Sequence, residues 1–143
     1  MTQIDFYTHV SNKLQTACLV CSKALGRGMR VMILTPDADT TDKVDRMLWT
    51  HPATGFIPHV RARHRLAATT PVIVDHELAG VERDELLLNL RLDTPDVFSR
   101  FQRLVEIVSI EEQDIAAGRQ RFRWYRDRGY EVRAHDISQG QSA

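Results

Sequence analysis

The chain has 143 residues, 43% hydrophobic and 27% charged, with 19 basic side chains balanced by 19 acidic ones. That is the length and make-up of one soluble globular domain with a sizeable core, and a neutral balance excludes the basic surplus expected of a general nucleic-acid binder. No apolar run approaches the roughly 20 residues a membrane span needs, and the N-terminus lacks a signal-peptide core, so the expected location is cytoplasmic, away from membranes.

In chain order, QIDFY (3–7) reads as a first strand. A helix follows over Leu14–Leu25, with Asn12 near its cap and Gly26 and Gly28 ending it. Leu14, Cys18, Cys21 and Leu25 recur at helical spacing, so the lone C-x-x-C is expected to be a pair of small core residues rather than a redox or metal motif. RVMIL (30–34) is a continuous apolar run, the mark of a strand buried on both faces. A short helix over Asp42–Trp49 has Val44, Met47 and Leu48 as its core stripe. The stretch THPATGFIPHVRARHRLAATT (50–70) is punctuated by Pro52, Gly55 and Pro58 and is expected to be irregular.

PVIV (71–74) and ELLLNL (85–90) are the next strand candidates. Thr94-Pro95 has the chemistry of a helix start, with Phe98, Phe101, Leu104 and Val105 as the buried face. EIVSI (106–110) is a further strand candidate, and Glu111–Arg128 a last helix closed by Gly129. Residues 1–137 are then one domain and 138–143 a disordered tail. Strands alternating with helices predict an α/β fold: a mainly parallel, possibly mixed sheet covered by helices on both faces, Rossmann-like. The turn after the first strand, THVSN, has no glycine to admit a phosphate, and no phosphate-loop motif occurs. A Rossmann-like fold without a nucleotide site, and without a cofactor or metal, is therefore expected.

Two stretches invite chemistry. Asp37, Asp39 and Thr41 form a D-x-D-x-T arrangement after a buried strand, as in haloacid-dehalogenase-like phosphatases, and would make a Mg²⁺-dependent phosphohydrolase. The competing reading is that acids and hydroxyls gather where a helix begins. The second stretch is GRQRFRWYRDRGYEVR (118–133), where six Arg face only Asp127 and Glu131, a local surplus of four positive charges in a neutral protein. On a helix, Ile115, Gly118, Phe122, Tyr125 and Gly129 share one side, bordered by Arg119, Arg123 and Arg126. Trp124, Arg121 and Arg128 point the other way. This is either a solvated basic face beside packed aromatics or an apolar pocket with a guanidinium at its lip. Such a pocket suits a peptide ending in an apolar side chain and a free carboxylate. A third possibility is single-stranded DNA stacking on Trp124, against which the neutral overall charge counts. Trp49 lies about 140° from Val44 around its helix, and Phe56 sits in a Pro/Gly-rich loop. Both are candidate interface anchors.

Taken together, DFY near the start, LW followed by HPATGFIPH, LLLNLRLDTPDVFSRFQRLVEIV and GRQRFRWYRDRGYEVRAH resemble the chi subunit family of bacterial DNA polymerase III over nearly the whole chain. The resemblance implies a single α/β domain without catalytic residues. It also implies membership of the clamp-loader complex through the psi subunit, whose surface a repair helicase can also use, and only indirect association with DNA. A second partner is implied, the acidic C-terminal tail of single-stranded DNA-binding protein. Carried onto this chain, the tail site comprises Val108, Ile115, Arg119, Phe122 and Arg123. The psi or helicase surface comprises Trp49, Phe56 and Pro58.

Overall fold

The computed structural model describes residues 1–50, 57–78 and 80–139. The chain runs through β1 (Gln3–Val10), α1 (Lys13–Gly26), β2 (Val31–Leu34), α2 (Ala38–Thr50), β3 (His59–Val60), β4 (Val72–Asp75) and β5 (Leu86–Asn89). It then forms β6 (Arg103–Ser109), α3 (Glu112–Asp127) and β7 (Val132–Asp136), with single 3-10 turns at Phe98–Arg100 and Ile137–Gln139. The seven strands form one sheet in the order β3-β4-β2-β5-β6-β1-β7. Every pairing is parallel, so the sheet is parallel throughout rather than mixed.

A parallel sheet must be covered on both faces, and the direction of each crossover decides which face a helix takes. The step from β1 through α1 to β2 runs one way across the sheet, and the step from β6 through α3 to β7 runs the other. Right-handed crossovers therefore put α1 and α3 on opposite sides. Two cores result. Ala17, Cys18, Cys21, Val44 and Leu48 pack on Val31, Ile33, Val72, Leu86, Val105 and Ile107. On the other face Tyr125, Phe98 and Phe101 pack on Ile4, Phe6, Met32, Leu87, Leu104 and Val108. β2, β4 and β5 are buried at every position, which is why they read as unbroken apolar runs.

The α1 helix begins where its cap chemistry places it, with the Asn12 side chain accepting the N–H of Gln15 at 3.1 Å. Cys18 and Cys21 are free thiols with no solvent exposure, and burial pushes them up to about 11 and about 12. They are core residues and not thiolate nucleophiles. No helix among the described residues is long and apolar enough to cross a membrane.

Three expectations need correction. No α-helix starts at Thr94-Pro95: one 3-10 turn forms at Phe98–Arg100, and Leu104 and Val105 belong to β6. Phe98, Phe101, Leu104 and Val105 are indeed all buried. Their spacing fits a helix only by coincidence, because a turn ending in extended backbone at Phe101 leads into a strand whose two faces are both covered. VRAHD forms β7, an edge strand with alternation too weak to announce itself. HV (59–60), within the stretch expected to be irregular, forms the short β3. At the C-terminus, Ile137–Gln139 form the last 3-10 turn, in which Ser138 donates its backbone N–H to Asp136 Oδ1 at 2.9 Å. Residues 140–143 lie outside the described residues.

Candidate functional site

In an open parallel sheet the ligand crevice lies beyond the carboxyl ends of adjacent strands whose following helices cover opposite faces. Here those strands are β1 and β6, paired from Gln3 and Arg103 to Val10 and Ser109. What occupies the crevice is protein. Lys13 of α1 and Asp114 of α3 meet across it at 3.1 Å, and Asp114 also accepts the N–H of Ser109 at 2.7 Å. Burial raises the Asp114 carboxyl, but the Ser109 N–H and the Lys13 charge outweigh it and hold the group below 3.8. The start of α1 is capped by the Asn12 side chain.

Beside this ion pair, on the α3 face, a groove of about 160 Å³ opens. Its lining is Phe6, Thr8 and His9 from β1, Val108 from β6, and Ile115, Gly118, Arg119 and Phe122 from α3. Four of the sequence-selected residues, Val108, Ile115, Arg119 and Phe122, therefore come together. Gly118 sets their spacing. A β-carbon there would lie 2.8 Å from Val108 Cγ2, so only glycine lets the helix approach β6 this closely. The Phe122 ring meets Phe6 edge-on at 5.3 Å and forms the apolar floor. Arg119 is exposed at the lip, and Arg123 lies outside the groove one turn further along, its Nε 3.5 Å from the Arg119 carbonyl.

The six arginines of 118–133 divide by role. Arg121, expected to point away from the buried side, is 3% exposed, with its Nε 3.1 Å from Glu106 Oε1 and Nη1 donating to the Leu92 carbonyl at 2.6 Å. Glu106 is fully buried and also accepts the Tyr125 hydroxyl at 2.6 Å and the Asn89 amide at 2.9 Å. Burial dominates there and pushes the Glu106 carboxyl up, against the Arg121 charge and the hydrogen bonds. Arg121 is thus the partner of a core carboxylate, which no helical-wheel count could reveal. The Arg128 guanidinium lies 3.6 Å from the Trp124 ring centroid, and Arg133 pairs with Glu131 at 3.2 Å. Among the described residues, Arg119, Arg123, Arg126 and Arg128 have no carboxylate partner; Arg128 lies over Trp124, which leaves Arg119, Arg123 and Arg126 as the positive charge nearest the groove.

Trp124 is half-buried. One face carries Arg128, and its ring makes edge contacts with Phe98 and Tyr125 at 5.7 and 5.6 Å. Asp37 accepts the N–H of Thr40 at 2.7 Å, which holds its carboxyl below 3.8, and Asp39 lies in the first turn of α2. Both acids do the work of a helix start. No cluster of three metal-ligating side chains occurs among the described residues.

On the far side of the sheet, Trp49 is 56% exposed near the end of α2, its ring edge-on to His59 at 5.3 Å. His59 is tied to Asp45 at 3.0 Å, which fixes β3 against α2. Pro58 is exposed next to it. Phe56 lies outside the described residues.

Phe6, Thr8, His9 and Gly118 are groove residues that the sequence reading did not assign to a site. The one local signal was the break in apolar alternation after DFY, and nothing in the sequence shows that β1 lies beside β6.

The fold and groove together define a class: a parallel α/β domain with an ion pair across the crevice between β1 and β6 and, beside it, an apolar groove with an arginine at its lip. The family model described as "DNA polymerase III chi subunit, HolC" matches residues 1–133. A protein of Pseudomonas aeruginosa named DNA polymerase III subunit chi is 36% identical over 96% of this chain and 98% of its own length. The Escherichia coli protein of the same name is 28% identical over 82% of this chain and 81% of its own length. This chain belongs to the DNA polymerase III chi subunit family, and so to the accessory subunits of DNA replication.

Proposed function

We propose that the chain is a non-catalytic adaptor of the clamp-loader complex, holding the acidic C-terminal tail of single-stranded DNA-binding protein in the groove between β1, β6 and α3. The observation that carries this reading is the groove itself, apolar along Phe6, Val108, Ile115 and Phe122 and cationic at Arg119. Arg119 pairs with the peptide's terminal carboxylate while the apolar floor receives its last side chain. Arg123 and Arg126 attract the acidic residues upstream, which accounts for a strip of arginines rather than one. On the opposite side, the surface around Trp49 and Pro58, with Phe56, receives the psi subunit or a repair helicase. Contact with DNA is then indirect. The use of Asp37 and Asp39 at a helix start supports an adaptor over a phosphohydrolase.

The test is calorimetric titration with the tail peptide and with a version lacking its last residue. A short peptide of this kind binds at about micromolar, about −8 kcal/mol, and more weakly as salt screens the charges. Truncation of the last residue abolishes most of the binding. Arg119→Ala costs about 1.5–3 kcal/mol, the range for hydrogen bonds to charged groups. Equal binding of both peptides, or an unaffected Arg119→Ala variant, would show that the groove serves another ligand.

A further inference from the structure

The end of β1 is irregular where it meets the groove. The β1–β6 register shifts between Tyr7 and Val10, and His9 takes a left-handed backbone conformation with φ 59°. A non-glycine residue in that region is uncommon, and bulges of this kind re-aim a side chain at sheet ends. Here the re-aimed side chain is an imidazole on the wall of the groove that also carries Arg119.

The ring is held by its neighbours. Nδ1 lies 3.2 Å from Asp136 Oδ1 of β7 and 3.2 Å from the Thr8 hydroxyl. Asp136 is itself fixed by the Ser138 N–H at 2.9 Å. An Nδ1–H donated to the Asp136 carboxylate selects one tautomer and leaves Nε2 as the second ring nitrogen. Among the described residues Nε2 has no protein partner. In the neutral ring that nitrogen presents a lone pair, which repels a carboxylate; in the imidazolium it presents an N–H, which binds one. The charged groups around the ring are Asp136 from β7 and Arg119 from α3. Lys13 of α1 is engaged with Asp114.

We infer that His9 is a second reader of the peptide's terminal carboxylate, opposite Arg119, and that the groove takes up a proton at His9 as it closes on an acidic tail. The inference rests on the peptide reading of the groove and deepens it into pH-dependent binding. The sign follows from linkage: a histidine that gains an anionic partner titrates higher in the complex than in the free protein. Its contribution is therefore complete below the ordinary histidine range and disappears as pH rises through the midpoint in the complex. The His9 ring is half exposed, at 54%, so solvent limits the effect. Affinity at pH 6 should exceed that at pH 8 by about threefold to fivefold, the upper range for an exposed ion pair. Peptide carboxylates titrate near pH 4 and do not contribute in this window.

The experiment titrates the tail peptide, with a free or an amidated C-terminus, against wild type and His9→Asn at pH 6 and pH 8, in two buffers of different ionisation enthalpy. Asparagine tolerates the left-handed backbone. The expected result is tighter binding at pH 6 with proton uptake in wild type, and an affinity that does not change with pH in His9→Asn. The amidated peptide should show no pH dependence. An NMR titration of the His9 ring should show its midpoint moving up when peptide is bound, a readout that needs no variant. A pH dependence that survives in His9→Asn, or an unmoved His9 midpoint, would overturn the inference while leaving the adaptor reading intact. No binding of the free-carboxylate peptide at either pH would overturn both.

Discussion

A β-carbon placed on Gly118 would sit 2.8 Å from Cγ2 of Val108 and 3.2 Å from its Cγ1. The contact lies between the middle of α3 and the end of β6, where the groove opens, and it couples helix packing directly to the shape of the candidate site.

Gly118→Ala adds a methyl to a position with no room for it. Alanine favours a helix interior by about 1 kcal/mol over glycine, whereas overpacking costs about 1–3 kcal/mol. A β-branched neighbour with a stiff χ1 cannot swing aside, so overpacking wins. The expected outcome in urea denaturation is a net loss of up to about 2 kcal/mol, with weaker binding of the tail peptide. Adding Val108→Ala should recover part of the Gly118→Ala penalty, and simple additivity of the two changes would show that the contact does not matter.

Removing Arg121 leaves the buried Glu106 without its cationic partner. Arg121→Ala is expected to cost about 3–5 kcal/mol, the range for breaking a buried ion pair from one side. Replacing both groups with uncharged ones of similar volume, Glu106→Gln with Arg121→Met, should recover most of that loss. Equilibrium unfolding of the three variants checks this. An Arg121→Ala protein as stable as wild type would contradict it.

Acid should loosen the edge of the sheet. The Asp5 carboxylate, 3% exposed, holds Arg103 at 3.2 Å and His135 of β7 at 3.0 Å. Burial raises the Asp5 carboxyl, yet the His135 hydrogen bond and the Arg103 charge together bring it below 3.8. Its folded-state value is depressed, like that of Asp114, so both contribute stability that is present above the unfolded carboxylate range. That stability is lost as pH falls from about 4 downward. Urea midpoints measured from neutral to acid pH should fall steeply below that point in wild type and less steeply in Asp5→Asn.

Trp49 tests the second surface. A largely exposed side chain contributes little to folding, so Trp49→Ala should change stability by no more than about 0.5 kcal/mol. An aromatic anchor is typically worth about 2 kcal/mol or more to an interface. Capture of the psi subunit by the Trp49→Ala protein should therefore be lost in a pull-down at submicromolar concentration. Retained capture would move that interface elsewhere.

Local pattern alone was enough for much of this protein. The helical spacing of Leu14, Cys18 and Cys21 marks a core stripe, and the apolar runs at 31–34 and 86–88 mark strands buried on both faces. Phe122 and Arg119 fall together on α3, but the sequence leaves a solvated basic face and an apolar pocket with a cationic lip as alternatives. Periodicity and capping are properties of neighbouring residues, so one sequence suffices to read them. Phe98 to Val105 shows the limit: burial was legible there, but a short apolar run does not distinguish a helix face from a turn followed by a covered strand. Only the tertiary structure decided that β1 lies beside β6, that Arg121 turns inward to Glu106, and that His9 faces the groove. Those outcomes depend on residues far apart in the chain: parallel pairing joins segments that share no local signal, and a buried charge can be recognised only when its partner is in place.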